Sequence, residues 1–381
     1  MRRWVSPDTQ RPARLSVYPL HIRCLAMPIA IANYALNLFT LLRGDNLLRP
    51  LIATYYVTTQ CNLNCAYCEY FGARRNAAAE AQLDADDALR VLRVIRSGVD
   101  RLIVTGGEPL LHPGIDDIIL RARRELRFNQ ITLLTNGSLL HQHEALLPAL
   151  DRLVISLDTL DAEAWRGVLN TSSSTVTDIL GNIRRYAAQQ RHFGYRLIVN
   201  CVLTPSTLDT ALDVLAFCER ERLLASFSPQ AVNNWPHYDL LVSEKYRSLI
   251  ETLIDRKRRG APLLGSFAYL ESLRTFTPYA CYPLLVPRIM PDGELVYPCR
   301  PIERGGTERG GRPCNLLEVT SWREAIARAR ARFGAPPETC ASCFQQCFAE
   351  ASLLQAQPLA LLRELAYAPS RHGSVWTHAP G

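Results

Sequence analysis

Residues 51–68 read LIATYYVTTQCNLNCAYC, an apolar, strand-like run followed directly by Cys61, Cys65 and Cys68. A four-iron cubane is normally held by four thiolates, so one loop that supplies three leaves one iron without a protein ligand. An open coordination position on a metal is where a substrate or cofactor binds. The C-x3-C-x2-C spacing therefore predicts a chemical site at the end of the first strand rather than a structural staple.

Zinc is the main alternative for these thiols. A structural zinc site usually draws on a second paired motif nearby, and residues 69–200 contain no further cysteine. Cysteines that only pack are buried hydrophobes, and three of them within eight residues of a polar loop would make a poor core. An iron–sulfur cluster is favoured over zinc and over chance.

The composition describes an ordinary globular protein, with 48% hydrophobic and 21% charged residues in a chain of 381. The formal net charge is +7, carried almost entirely by arginine, since Lys245 and Lys257 are the only lysines. Without a lysine-rich run or an aromatic-interleaved basic stripe, nucleic acid is not predicted as a partner. Twelve cysteines without a secretory signal predict a reduced, cytoplasmic protein whose clustered thiols bind metal.

One stretch near the amino terminus has the length of a membrane span. Residues 24–42 carry no charge over 19 positions, but Pro28, Asn33 and Asn37 interrupt the run. We expect a helix over 29–43 that packs on the catalytic domain. An anchor in a membrane interface is the second interpretation, and a true span is the least favoured.

Residues 51–230 alternate strand-like apolar runs with helical patterns, which is typical of a parallel α/β sheet. The predicted strands cover 52–58, 101–105, 130–135, 153–158, 197–203 and 225–228. Helix-like segments lie between them over 84–95, 115–126, 144–150, 176–191 and 208–222. Six units are too few for a closed eight-stranded barrel.

Polar residues recur where the predicted strands end, which is the edge where α/β barrels build active sites. They are Gly106, Gly107 and Glu108, then Asn136, Ser156, Asp158, Asn200 and Gln230. Several have structural alternatives: a plain turn for the glycines, a helix cap for Asp158 and a turn for Asn136. Strand phase decides whether Asn200 or Cys201 faces inward, and Cys201 is either core or a hydrogen-atom donor.

The cysteine loop, with the aromatic Tyr67 before its last cysteine, resembles the cluster-binding motif of radical S-adenosylmethionine (SAM) enzymes. The resemblance implies a partial (β/α)6 TIM-like barrel, with which the strand count agrees. It also implies a [4Fe–4S] cluster on Cys61, Cys65 and Cys68 whose open iron chelates SAM. In that family an electron from the cluster cleaves SAM to a 5′-deoxyadenosyl radical, which abstracts hydrogen from substrate.

The same resemblance assigns further residues to SAM. In the family, the segment that matches Gly106, Gly107 and Glu108 contacts the methionyl amino group. Ser156 and Asp158 resemble the family's ribose-contacting positions. The remaining candidates for cofactor contacts are Tyr67, Asn136, Asn200 and Gln230.

A second group of six cysteines follows the barrel. Five of them are the candidate ligands, namely Cys281, Cys299, Cys340, Cys343 and Cys347, and the sixth, Cys314, is the most dispensable. Residues 290–299 read as a β-hairpin with a Pro-Asp-Gly turn. The order resembles the SPASM or Twitch domain, an auxiliary-cluster extension of radical SAM enzymes. The full SPASM pattern has more cysteines and two clusters, so we expect one auxiliary [4Fe–4S] cluster. Zinc on the same thiols is the alternative.

The expected organisation has four parts. Residues 1–50 form an apolar helical segment, 51–260 the radical SAM barrel, 261–350 the auxiliary-cluster domain, and 351–381 a C-terminal helix and tail. A second apolar helix is predicted over 349–367, interrupted by Pro358.

The predicted function is radical SAM chemistry on a small molecule or lipid, with a one-electron reductant such as flavodoxin or ferredoxin. The apolar segments favour a lipid and a peripheral contact with the cytoplasmic face of a membrane. Maturation of a ribosomal peptide is the alternative, although residues 1–50 are too short for the leader-binding domain common in such enzymes. A third hypothesis is a non-catalytic electron-transfer or metal-binding protein, but the Gly-Gly-Glu segment disfavours it.

Overall fold

The alternating apolar and amphipathic segments fold into a mostly parallel sheet covered by helices. The computed structural model describes residues 27–69, 71, 81–232, 235–304, 308–336 and 343–371. The strands are β1 Ala53–Tyr56, β2 Arg101–Thr105, β3 Gln130–Thr135, β4 Arg152–Ser156, β5 Arg196–Leu203, β6 Leu224–Pro229, β7 Ala231–Val232, β8 Trp235–Pro236, β9 Arg288–Ile289 and β10 Leu295–Val296.

Amphipathic helices cover the outer face of the sheet and bury their apolar stripes against it. The helices are α1 Ile29–Leu42, α2 Ala85–Arg96, α3 Ile115–Arg124, α4 Ala162–Leu169, α5 Ser173–Phe193, α6 Ala211–Glu221, α7 Tyr238–Leu241, α8 Glu244–Arg258, α9 Phe267–Thr275, α10 Arg300–Arg304, α11 Trp322–Phe333, α12 Gln346–Ala356 and α13 Pro358–Arg371. Strands β1 to β6 lie side by side in chain order and all run parallel. The predicted six-unit α/β architecture is therefore confirmed.

The strand register decides which residues share the inner, concave face of this partial barrel. Ser156 pairs with Asn200, and Asn200 pairs with Ser226 on the next strand. Because side chains alternate along a strand, these three form one polar row, and Cys201 points to the opposite face. Of the two residues that the sequence left as alternatives for the inner face, Asn200 lies on it and Cys201 does not.

The cysteine-rich segment continues the same sheet. Strand β9 pairs in parallel with β1, with Thr54 opposite Arg288, and β10 pairs antiparallel with β9. The predicted hairpin turn is present, and Gly293 takes a φ of +86° that favours glycine. The expected boundary near residue 260 therefore does not separate two sheets.

Helix α12 begins beside the last parallel strand, β6, and packs against α9, α13 and α1. Eight consecutive residues of α12, 348–355, are buried. Its first residue, Gln346, accepts a hydrogen bond from the Ser226 hydroxyl on β6. The helix ends before Pro358, as predicted, and the boundary expected at residue 350 falls within it.

Helix α1 packs on the barrel, as predicted, but through its polar edge. The Asp100 carboxylate accepts from the backbone N–H groups of Ile29 at 2.8 Å and Ala30 at 3.1 Å, which caps the helix. The Asn33 side chain donates to the Pro50 carbonyl at 2.8 Å, and both Asn33 and Asn37 are buried. The interrupting asparagines are therefore the anchors of the helix.

The apolar side of α1 faces outward instead. Phe39 is 65% exposed and Leu42 is 83% exposed. None of the helices in the described part of the chain has the length and apolar character needed to cross a membrane.

Candidate active site

A cavity of about 410 Å³ occupies the concave face of the sheet beneath the cysteine loop. The structure brings most of the predicted site residues to its wall: Cys61, Cys65, Tyr67, Cys68, Gly106, Gly107, Asn136, Ser156 and Asn200, together with Cys347 from the second group. Its size is typical of sites for small molecules.

The cysteine loop is fixed from two sides. On one side the Ala66 N–H donates to the carbonyl of Val168 in α4 at 2.8 Å. On the other, the Gly107 N–H donates to the Thr58 carbonyl at 3.0 Å, and the Glu108 N–H donates to the Gln60 carbonyl at 2.7 Å. The loop therefore has a defined position relative to the end of β2.

Both glycines after β2 are required by this close approach. A Cβ on Gly106 would lie 2.4 Å from the Thr58 carbonyl oxygen, and one on Gly107 would lie 2.2 Å from that of Gln60. Backbone contacts this short leave no room for a side chain. The same glycine backbone lines the cavity, so it can approach a ligand closely.

The three thiols lie near one another and are half-buried. Burial is the main cause that raises the pKa of the Cys61 thiol to about 11, and the nearby Cys68 thiolate raises it further. Burial and the same neighbour also raise the pKa of Cys65. Binding of a metal to such thiols must displace their protons.

This donor set fits an iron–sulfur cluster. Soft thiolates are the usual ligands of such clusters. In the described ranges, no three cysteine, histidine, aspartate or glutamate side chains are arranged to hold a single metal ion. A cluster whose thiolates bind separate irons does not require that arrangement.

Glu108 is fully buried and does not line the cavity. Its carboxylate accepts from the Thr135 hydroxyl at 2.7 Å and from the backbone N–H groups of Asn136 at 2.7 Å and Leu110 at 3.1 Å. Burial raises the pKa of Glu108 to about 6, although these hydrogen bonds oppose the shift. The carboxylate is therefore arranged to fix the end of β3, and the expected contact of Glu108 with SAM lacks support from its side-chain position.

Asn136 serves both the turn and the cavity. Its side-chain N–H donates to the Asn62 side-chain oxygen at 2.8 Å, and its own oxygen accepts from the Ser138 N–H at 2.9 Å. The turn after β3 is thereby tied to the cysteine loop, while Asn136 also lines the cavity.

Asp158 is likewise fully buried and supports the loop from below. Its carboxylate accepts from the Tyr67 hydroxyl at 2.9 Å and from the Val202 N–H at 2.8 Å. Burial raises its pKa to about 6. It does not line the cavity, so the expected ribose contact lacks support. The capping alternative is wrong because Asp161 caps α4.

Two further candidates lie away from the cavity. Gln230 is half-buried, and its backbone N–H donates to the Leu203 carbonyl at 2.9 Å; among the described residues it is not part of the cavity wall. Cys201 is buried on the outer face, with its sulfur 3.5 Å from the Asp158 carbonyl oxygen. Cys201 is thus core, which disfavours its interpretation as a hydrogen-atom donor.

The sequence interpretation missed several residues of the cavity wall. Arg152 and Thr132 line it from the strands, and Gln346 and Glu350 line it from α12. The signal for Arg152 was available, since it lies four residues before Ser156 and so shares its face.

The second cysteine group is brought together in part. Burial raises the pKa of Cys343 to about 12, and the neighbouring Cys347 and Cys299 thiolates add to the shift. Cys281 is buried. Cys314 lies elsewhere, with its sulfur 4.0 Å from the Ala325 carbonyl oxygen in α11, and Cys340 lies outside the described residues.

Residues 55–218 match the Radical SAM superfamily. The match covers the cysteine loop, the glycine pair and strands β2 to β5, which carry most of the cavity wall. This segment therefore forms a radical SAM domain, and the cofactors of that superfamily are a [4Fe–4S] cluster and SAM.

Among relatives, a GTP 3′,8-cyclase from Mycobacterium sp. (strain KMS) is 34% identical over 173 residues, which cover 42% of this chain and 46% of the relative. This chain thus spans less than half of that relative. The structure of Streptococcus suis SuiB bound to precursor peptide SuiA has a TM-score of 0.55 at 21% identity and covers 80% of this chain and 73% of SuiB. Native anSMEcpe with bound AdoMet has a TM-score of 0.55 at 14% identity, with coverage of 82% of this chain and 99% of anSMEcpe. These two structures share the fold.

We expect Gly107→Ala to displace the chain before Cys61, because its Cβ would overlap the Gln60 carbonyl oxygen. The free energy of unfolding should fall by about 1–3 kcal/mol, and iron bound after anaerobic reconstitution should fall with it. Urea denaturation and iron analysis measure the two effects. Gly181→Ala is the control: this helical position has open space and should be stabilised by up to about 1 kcal/mol. Unchanged stability and iron content in Gly107→Ala would contradict the requirement for glycine.

Proposed function

We propose that this protein reductively cleaves SAM at a [4Fe–4S] cluster held by Cys61, Cys65 and Cys68 and abstracts hydrogen from a small-molecule or lipid substrate. The observation that carries the proposal is the opening of these three thiols and of the Gly106–Gly107 backbone onto one cavity. When bound, the cluster and SAM supply the electron and the hydrogen-abstracting group. The electron donor would be a one-electron reductant such as flavodoxin or ferredoxin.

The chain's own residues position these groups and exclude water. Asp158 orients Tyr67, which lines the cavity beside Cys68. Glu108 fixes the turn that presents Asn136. Ser156 and Asn200 offer polar side chains from the same row and are the remaining candidates for contacts with SAM.

The cavity wall supports a small, largely apolar substrate. Below the polar row, the lining consists mainly of aliphatic side chains: Ile52, Ile103, Leu134, Val154, Ile198 and Leu264. The sequence relatives are named for a reaction of GTP, a polyanion whose phosphates would find a single arginine, Arg152, among the described residues of this wall.

Peptide maturation is the alternative substrate hypothesis, supported by the likeness to SuiB, whose structure contains a precursor peptide. An electron-transfer protein without substrate is less well supported, because it would not need an apolar cavity beside its thiols.

Cys65→Ala tests the central assignment. The variant should lose about four irons per chain, one cubane, and should form no 5′-deoxyadenosine from SAM and dithionite. Cys218→Ala is the matched control because Cys218 is buried in α6, apart from the cavity wall. Formation of 5′-deoxyadenosine by Cys65→Ala at the wild-type rate would refute the proposal.

We also propose one auxiliary [4Fe–4S] cluster, with four ligands drawn from Cys281, Cys299, Cys340, Cys343 and Cys347. Its support is the closeness of Cys343 to both Cys299 and Cys347.

Iron analysis distinguishes the auxiliary cluster from zinc. The reconstituted protein should hold about eight irons, two cubanes, and Cys343→Ala about four. Cys314→Ala should keep all eight, since Cys314 packs against α11. If the wild-type protein held about four irons and one zinc, the second cysteine group would bind zinc, and the proposed auxiliary cluster would be wrong.

We further propose a peripheral membrane contact through α1, as the sequence suggested. The exposed side chains of Phe39 and Leu42 supply the apolar surface that an interfacial helix buries among lipids. The cytoplasmic location stays a prediction.

Flotation with vesicles that contain anionic lipid tests this contact at low salt. The wild-type protein should float, and Phe39→Asp should remain at the bottom of the gradient because its aromatic ring is replaced by a charge. Val242→Asp is the control, since Val242 is similarly exposed, at 56%, but lies outside α1. Absence of the wild-type protein from the floating fraction excludes the contact.

A further inference from the structure

Arg152 is a buried cation whose charged end has no hydrogen-bond partner within the described part of the chain. It begins β4, is 5% exposed, and lines the cavity that contains the cysteine thiols. Neither of its terminal nitrogens finds an acceptor among the described residues. An unsatisfied buried charge is rare in folded proteins and requires an explanation.

The nearest acidic side chains have other partners. The Asp151 carboxylate accepts from the Ile131 N–H at 2.7 Å and forms an ion pair with Arg123. The Glu350 carboxylate accepts from the Ser266 N–H at 2.6 Å and from the Gln346 side chain at 3.1 Å. Within the ranges that the structure describes, Arg152 therefore lacks a direct counterion.

A second cation lies close by. Arg101 begins β2 on the same side of the sheet, and its positive charge, after burial, contributes to lowering the pKa of Arg152 to about 10. This end of the cavity is consequently prepared for negative charge. Burial among aliphatic side chains strengthens any ionic bond formed there.

The position along β4 gives the distance between the two ends of the cavity. Four residues separate Arg152 from Ser156, which corresponds to about 13 Å of extended strand. The cysteine loop lies at the Ser156 end, and Val154 and Leu134 line the interval. A ligand that reaches from Arg152 toward the thiols must therefore be apolar in its middle.

We propose that Arg152 binds a carboxylate group of the substrate, so that the substrate is an amphiphilic carboxylic acid. A guanidinium binds a carboxylate through two parallel hydrogen bonds, and one negative charge balances the one charge of Arg152. A phosphate monoester carries nearly two charges and would be left partly uncompensated, because Arg101 does not line the cavity whereas the Glu350 carboxylate does. This inference rests on the proposed function and gives it a substrate class.

Calorimetry on the anaerobically reconstituted, SAM-bound protein tests the assignment with three probes that share one chain: octanoate, octan-1-ol and octyl phosphate. Octanoate should bind about ten- to a hundredfold more tightly than octan-1-ol, the range for hydrogen bonds to a charged group. Equal binding of octanoate and octan-1-ol would overturn the proposal. Tighter binding of octyl phosphate than of octanoate would overturn the assignment to a carboxylate.

Arg152→Met should remove the preference for octanoate and leave the binding of octan-1-ol unchanged. Arg196→Met is the matched control, because Arg196 is the register neighbour of Arg152 on β5 but is exposed. It should retain the full preference. Retention of the preference by Arg152→Met would contradict the inference.

The melting temperature of Arg152→Met distinguishes a binding role from a structural role, because the two roles predict shifts of opposite sign. Without ligand, Arg152→Met should melt at a higher temperature than the wild-type protein, since an unpaired buried charge is replaced by an apolar side chain of similar length. A lower melting temperature, or failure to fold, would show that Arg152 is structural and would overturn the proposal. If the wild-type protein prefers octanoate but forms no 5′-deoxyadenosine, the proposed radical chemistry fails while the carboxylate site stands.

Discussion

The site depends on one close backbone contact, that between the glycine pair after β2 and the chain that enters the cysteine loop. Two hydrogen bonds join these segments, from Gly107 to Thr58 at 3.0 Å and from Glu108 to Gln60 at 2.7 Å. Without a Cβ on either glycine, the two segments approach closely enough to present thiols and backbone to one cavity. The segment after β2 therefore fixes one side of the thiol loop, and α4 fixes the other through the bond from Ala66 to Val168.

The sequence predicted secondary-structure elements well where the hydrophobic pattern was regular and where residues that end an element flanked it. The strands at 101–105 and 130–135 have the expected bounds, because uninterrupted apolar runs mark parallel strands. The segment 144–150 was predicted as an α-helix and forms a 3-10 turn that contains Pro148. Proline removes a backbone donor there.

Side-chain direction was the part that the sequence could not supply. Glu108 and Asp158 were predicted to contact SAM from their types and positions, yet each carboxylate is turned toward a backbone N–H at the end of the next strand. For Asn200 the register settled the direction, since pairing with Ser156 places both on the inner face. Arg152 was missed because the fourth strand was predicted to begin at residue 153, whereas β4 begins at Arg152 and places it on the same face as Ser156.

Helix α12 brings one cysteine of the second group, Cys347, to the cavity that Cys61, Cys65 and Cys68 line. Its first turn carries Gln346, which bonds Ser226 on β6, and Cys347, which lines the cavity and lies near Cys343. One turn later Glu350 accepts from Ser266 before α9. Because buried polar groups are stable only when they are hydrogen-bonded, these bonds fix the position of α12. That position brings Cys347 to the wall of the cavity that Arg152 also lines.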